Sequence, residues 1–425
     1  MRFAKTFMSV IAGLLSVAAL AVTAHAQTTV MNVGGSSAAR NFMGTTPLNL
    51  CDASPLPNLY VSANNNLWAW TCNQGGLPIQ INYAATQSSD GINTLLVATG
   101  SAGSFLNFLD ITQTTGCTGP VTQTRASDGK QYNQTSNCAN SNTVSLPVHM
   151  GASDVAGSSF GQTGPLGTTQ PVIDDSSLTV ATTAVFPWSI FLGKGVVKVS
   201  GGAPAGPITN LTRLELEAIF SREAKAQDWT QLGYGTTANG TTLETTSPIV
   251  LCLRNAGSGS KAMLAQTIMI NAKETVLANS NVIFSSGTSG VLSCIASNPR
   301  SIGYMDADQE LSFLSGGANA GLGYAVKVDG YLAHDASLTN PKENLECGRY
   351  AYWTYERLNR RGTSEGAAID ALAAAFIADA TSASTIALLP VGSYWDAQSK
   401  MNVFKNVDRG PLTLSPLSVP STACN

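Results

Sequence analysis

The stretch Pro248-Ile249-Val250-Leu251-Cys252-Leu253-Arg254-Asn255-Ala256-Gly257-Ser258-Gly259-Ser260 decides how the rest of the chain is read. Ile249 to Leu253 is a short, continuous apolar run, the pattern of a strand buried on both faces. Arg254 breaks it, and a glycine turn follows. Lys261 to Asn271, rich in Ala, Met, Leu and Ile, predicts a helix with Ser258 or Ser260 at its N-cap. A helix N-terminus presents unpaired N–H groups and a partial positive charge, so it attracts anions. Gly257 and Gly259 let the backbone come close to a ligand, the serines add hydroxyl donors, and Arg254 adds a planar fork of donors. The pattern is that of half an oxyanion cradle. Gly-Ser-Gly turns that merely cap a helix are common, and this stretch alone does not choose between the two.

The same grammar recurs along the chain. Val30 to Val33 predicts a strand running into Gly34-Gly35-Ser36-Ser37-Ala38-Ala39. Leu77 to Tyr83 predicts another, leading into Gln87-Ser88-Ser89-Asp90-Gly91, with Ile92 to Ala98 helical. Val144 to His149 predicts a third strand that ends at Gly151-Ala152-Ser153-Asp154, where Asp154 is either a helix cap or a site residue. Repeated strand–small-residue-turn–helix units argue for an α/β architecture with parallel strands, whose ligands sit outside the carboxyl ends of those strands. Thr179 to Val199 is strongly apolar, is broken at Pro187-Trp188 and Gly193, and reads as strands near a crossing between lobes. Asn210 to Phe220 predicts an amphipathic helix capped by Asn210 or Thr212. Ser301 to Tyr304 predicts a strand, Ala325 to Leu332 the start of a hairpin, and Asn344 to Leu358, with Tyr350, Tyr352, Trp353 and Tyr355, a returning strand. Glu365 to Ala380 predicts an Ala-rich helix, and the tail to Asn425 reads as loop tied down by Cys424. The polar segment from about Ser101 to Ser145 reads as a disulfide-pinned surface insertion, and Trp68 and Trp70 as core.

Only 12% of the 425 residues are charged, and no basic patch points to nucleic acid. Residues 1–26 have the three parts of a secretory signal: Arg2 and Lys5, an apolar stretch from Phe7 to Val22, then Ala24-His25-Ala26. Cleavage before Gln27 takes the formal charge from −3 to −5, and no cysteine follows closely enough for a lipid anchor. No later run is long and apolar enough to span a bilayer. All eight cysteines lie beyond the signal, which in an exported chain implies disulfides. Their connectivity is not readable, and sequential pairing (51–72, 117–138, 252–294, 347–424) is the simplest arrangement. With no Cys-x-x-Cys pair and only His149 and His334 left after cleavage, neither a metal site nor a cofactor is expected.

The order of these motifs resembles the periplasmic phosphate-binding proteins of bacterial ABC importers. It runs Gly35-Ser36-Ser37, Tyr83 with Ser88-Ser89-x-Gly91, Gly151-Ala152-Ser153-Asp154, Leu211-Thr212 to Trp229, Arg254 with Gly257-Ser258-Gly259-Ser260, and Ile302-Gly303-Tyr304. The resemblance implies a two-lobed α/β fold of mixed sheets flanked by helices, joined by hinge strands, with an anion enclosed between the lobes. It places lobe 1 at 27–183 and 345–425, and lobe 2 at 184–344. It implies that Ser37 or Ser36 and Ser88 donate hydroxyls, and that Asp154 accepts the proton of a partly protonated phosphate. Arg254, Ser258, Gly259 and Ser260 would serve from the second lobe.

Three positions depart from the family pattern. Ala256 stands where an aspartate would tether the arginine, and Gln87 and Asp90 replace glycines. A periplasmic or secreted, monomeric, non-enzymatic binding protein for phosphate or a related oxyanion is therefore expected, with an ABC permease as its partner. An extracellular phosphatase-like enzyme, or an exported structural or adhesive protein that kept the scaffold and lost the ligand, are the alternatives. The mature protein is expected to begin at Gln27 with four disulfides; intact mass before and after reduction checks both, and appreciable free thiol would contradict the second.

Overall fold

The computed structural model describes residues 27–165, 168–238, 240–270, 273–277, 279–390, 392, 394–414 and 424. The signal segment 1–26 lies outside the described residues. The fold is mixed α/β, a large mixed sheet flanked by helices. The strands used below are β1 (Thr29–Gly35), β2 (Asn58–Ser62), β3 (Leu67–Gln74), β4 (Leu77–Ala85), β5 (Phe105–Leu109), β6 (Thr118–Thr124), β7 (Gln131–Cys138), β8 (Thr143–Pro147) and β9 (Met150–Ser153). They continue as β10 (Leu178–Gly193), β11 (Val250–Arg254), β12 (Val282–Ser285), β13 (Ser301–Asp306), β14 (Gly323–Val328) and β15 (Trp353–Arg361). The helices used below are α1 (Asp90–Asn93), α2 (Arg213–Ser221), α3 (Gly259–Thr267), α4 (Thr288–Ser297) and α5 (Ala367–Ala380).

The main sheet runs β12-β11-β13-β10-β15-β9-β1-β4-β3-β2-β7-β6. β1 lies parallel between β4 and β9, and β11 lies parallel between β12 and β13. These two parallel groups carry the turns singled out above. The 16-residue β10 joins them: its first part, up to Pro187, pairs with β15, and Trp188 to Leu192 pairs with β13. The crossing is a block of aromatic side chains. Phe186 lies 4.5 Å, ring to ring, from both Trp188 and Trp395, and Trp395 lies 5.5 Å from Phe42. All four are buried, so this block is core and not surface.

Several sequence expectations are corrected. The segment 101–145, which carries the Cys117–Cys138 disulfide, also holds strands that were not foreseen: β5 pairs with β8, while β6 and β7 form a hairpin that extends the main sheet through β2. Every residue of β6 is exposed, so it has no apolar alternation to read; backbone pairing and the Cys117–Cys138 disulfide hold it. The apolar run at 144–149 is not one strand. β8 ends at Pro147, and β9, starting at Met150, belongs to the main sheet. The helix expected over Ile92 to Ala98 is only the single turn α1. No full hairpin forms after Ala325: β14 ends in a turn at Asp329 and Gly330, with only an isolated bridge from Val328 to Tyr331. The returning strand starts at Trp353, after a helical turn at Glu343–Glu346. Where the sequence left two caps open, Thr212 forms a capping box with Glu215 on α2, and Ser258 caps α3. The described cysteines pair sequentially, 51–72, 117–138, 252–294 and 347–424. Among the described residues, no helix is long and apolar enough to cross a membrane.

What positions the first half of the site is contact between backbones. Gly91 of α1 packs on the Ala152 backbone of β9, and a Cβ at Gly91 would overlap the Ala152 carbonyl. A Cβ at Gly151 would overlap the Gly91 carbonyl in turn, and Gly35 (φ 124°) meets both neighbours. Gly91→Ala is expected to destabilise the fold by about 1–3 kcal/mol through overpacking. Urea unfolding measures it; an unchanged midpoint would show that this contact does not hold the turn.

Candidate functional site

Each half of the site arises from a strand that ends in a turn of small residues. After β1, the Ser36 N–H donates to the Ala152 carbonyl at 2.9 Å, which turns the Ser36 hydroxyl onto Asp154 Oδ1. After β4, the Ser88 hydroxyl donates to Asp154 Oδ2 at 2.8 Å. Asp154 itself follows β9. One carboxylate thus collects hydroxyls from two other strand ends, and all three residues are buried.

The second half is the stretch from Pro248 to Ser260. Arg254 closes β11, 4% exposed. Its guanidinium donates to Ser260 Oγ and Thr288 Oγ1, both at 3.1 Å, and to the Ser286 carbonyl at 3.4 Å. Among the described residues it has no ion-pair partner, and its Nε–H is buried without an acceptor. The alanine at 256 leaves the guanidinium tied by Thr288 and Ser286 instead of a carboxylate. Ser258 caps α3 by accepting the Lys261 N–H, and its hydroxyl lies 3.1 Å from that of Ser260. Lys261 is itself buried and paired with Glu274, which also accepts the Tyr304 hydroxyl at 2.7 Å. This chain of contacts returns to the cradle, because Tyr304 accepts the Arg254 backbone N–H at 3.3 Å.

The two halves touch. The Ser89 N–H donates to the Gly257 carbonyl at 3.2 Å. Gly259, the first residue of α3, sits so close to Asp154 and Ser88 that a Cβ there would overlap Asp154 Oδ2. Ser36, Ser88, Asp154 and Gly259 therefore meet directly, with Arg254, Ser258 and Ser260 behind the turn. Ser37 stands apart. It is half-buried on a cleft of about 900 Å³ beside the cradle, shared with Arg40, Gln87, Asp90, Asn255 and Thr288. Asp90, the unexpected charge, faces this cleft; burial raises its pKa, against hydrogen bonds from Thr86 and from the Gln87 backbone.

Burial also raises the pKa of Asp154, against the Ser36 hydroxyl, the neighbouring Glu356 carboxyl, the Ser88 hydroxyl and the charge of Arg254. Burial lowers that of Arg254, against the charges of Asp306, Tyr304 and Asp154. Burial likewise raises Asp306 well above the usual range, and Asp308 to about 6. The sequence reading missed Thr288, Ser286, Arg40, Asp306 and Glu356. Three of these had a signal. Ser286 to Gly290 follows β12 as another strand-to-helix turn of small residues, and Glu356 is an acid in the middle of an aromatic strand. Among the described residues no group of His, Cys, Asp or Glu could hold a metal ion.

Ser36→Ala removes one donor from a buried carboxylate and is expected to cost about 1–3 kcal/mol. Its pH dependence has a definite sign. A carboxyl whose pKa is raised on folding stabilises the fold in acid, and that contribution is lost as pH rises through the folded-state value. Without Ser36 the folded-state pKa climbs further, so the loss should be larger where the folded carboxyl is ionised and shrink in acid. Urea unfolding at both pH values tests this; equal losses would detach Ser36 from the Asp154 charge.

Residues 188–384 match the family model of a PBP superfamily domain. A search of curated proteins found no match. Among solved structures, a putative phosphate ABC transporter substrate-binding protein with bound phosphate from Clostridium perfringens is 15% identical, with 87% of this chain and 99% of that one covered, at a TM-score of 0.49. An ABC-type phosphate transport receptor from Vibrio cholerae is 13% identical, with 86% and 98% covered, at a TM-score of 0.43. Likenesses this distant bear on neither ligand nor mechanism.

Proposed function

We propose, from the match of residues 188–384 to the model of a PBP superfamily domain, that this chain is an exported, non-enzymatic solute-binding protein. Its ligand is phosphate or a related oxyanion, enclosed between lobes of about 27–183 with 345–425 and 184–344, and handed to an ABC permease. The observation that carries the reading is Arg254: a buried guanidinium without a carboxylate partner among the described residues, with hydroxyls on either side and a capped helix N-terminus ahead. A buried charge is costly unless paired, and an oxyanion supplies the missing partner. Ser36, Ser88, Ser258, Ser260 and the backbone at Gly259 are the accompanying donors, with Ser37 at the cleft edge. Asp154 is the acceptor for a proton that the ligand still carries. Phosphate keeps one near neutral pH and sulfate has none, so Asp154 would set sulfate's lone pairs against its own charge.

One observation favours a second reading. Asp154 and Ser88 press directly on Gly259, so the protein's own carboxylate stands at the N-terminus of α3. A scaffold that has lost its ligand would look the same. Calorimetric competition between phosphate and sulfate separates the two. Arg254→Ala is expected to weaken phosphate binding by about 1.5–3 kcal/mol, or roughly 10- to 150-fold. Asp154→Asn, which removes the charge and adds a donor, is expected to shrink or reverse a preference for phosphate of at least about tenfold. Equal phosphate binding by wild type and Arg254→Ala would refute the site, and wild-type protein that takes neither anion would establish the scaffold reading.

A further inference from the structure

We infer that Asp154 and Glu356 hold one proton between them, with Glu356 as its donor and Asp154 as the ionised member that faces the cradle. Strand register puts them together. β15 runs antiparallel to β9 with Arg357 opposite Ser153 and Leu358 opposite Ala152, and the same register carried one residue past the ladder sets Glu356 across from Asp154. Side chains opposed in this way have Cβ atoms about 4.5–5.5 Å apart. Glu356 is fully buried, and neither of its carboxyl oxygens meets an N–H or O–H donor among the described residues. The Thr183 hydroxyl passes the side chain by and donates to the Glu356 backbone carbonyl.

The charges around the pair leave one resolution. Glu356 faces Asp154 and Asp306, both negative when ionised, with Arg357 as the cation acting on it. Arg357 is itself paired with Asp408 at 3.3 Å. Tyr83 is buried nearby with its pKa raised by desolvation, and Asp308 stands behind Asp306. On the other side of the pair, Asp154 has the Ser36 and Ser88 hydroxyls and the charge of Arg254. Two ionised carboxylates cannot hydrogen-bond, and carboxyl groups sharing a dry site do not both ionise. A proton on Glu356 removes one of the opposed charges and gives its carboxyl a bond to make. Burial and the Asp154 charge both push its pKa up, in the same sense. The pair then titrates as a unit.

For the ligand, this rests on the phosphate reading above. An ionised carboxylate has about four acceptor positions. Ser36, Ser88 and Glu356 fill three, leaving one for a proton that the ligand brings. Glu356 is thus a positioning residue that keeps Asp154 an acceptor without touching the ligand.

The test compares infrared spectra of wild type, Glu356→Gln and Asp154→Asn in phosphate-free buffer across a range of pH. Wild type should show the carbonyl band of a protonated carboxyl at neutral pH. Glu356→Gln, which keeps shape and donor, should lose the Glu356 share of that band and keep only what Asp306 contributes. In Asp154→Asn the band should disappear at lower pH than in wild type, because the opposed charge is gone. Phosphate affinity should fall at least about tenfold in wild type as pH rises through the upper titration of the pair, and stay level in Glu356→Gln. If Glu356→Gln does not fold, the Asp154→Asn titration decides alone. No band difference, or a band titrating identically with and without Asp154, overturns the pair. Protein that shows the band yet binds no oxyanion upholds the pair and refutes the phosphate reading instead.

Discussion

The site depends on a constraint that involves no side chain: the backbones at Gly35, Gly91 and Gly151-Ala152 touch. Any Cβ there would push the turn after β4 away from β1 and β9. Because the three approach so closely, hydroxyls 118 and 66 residues away in sequence reach the same carboxylate. The Ser36 N–H bond to Ala152 continues the β1–β9 pairing past the end of the ladder and so aims the Ser36 hydroxyl. Short side chains are required because the geometry is set by main chain, and only main chain is rigid enough to place three donors and acceptors within hydrogen-bonding distance.

A dry interior then makes every charge matter. The chain has few charged residues, yet Asp154, Arg254, Asp306, Asp308 and Glu356 gather within it, all buried. Hydroxyls, not counter-ions, supply most of the side-chain hydrogen bonds that Asp154 and Arg254 make. Hydroxyls stabilise a charge without cancelling it, so the site keeps an uncancelled cation on one side and an acid cluster on the other. Such an arrangement is costly for a purely structural core, where an apolar filling would be at least as stable.

The long strand β10 connects the two halves mechanically. It is shared by both parallel groups, and Pro187 interrupts its ladder where partners change from β15 to β13. The aromatic block of Phe42, Phe186, Trp188 and Trp395 packs at that point. It brings the N-terminal segment, the crossing and the C-terminal region into one core, and the Cys347–Cys424 disulfide ties Cys424 to the segment just before β15.

What the sequence determined by itself is local. The apolar run of β11, the small-residue turns after β1, β4 and β11, and the cap on α3 are set by contacts within a few residues, so composition and spacing reveal them. Tertiary structure decided what lies opposite what. Whether Ser36 or Ser37 would turn inward followed from one backbone hydrogen bond to Ala152. The polar β6–β7 hairpin joins the edge that β2 offers, and no apolar alternation in its own residues announces that pairing. Glu356 looks like one acid in an aromatic strand, and its meaning comes from a register with β9 across some 200 residues. Pairing between distant strands is a property of the assembled sheet, and no short window of sequence contains it.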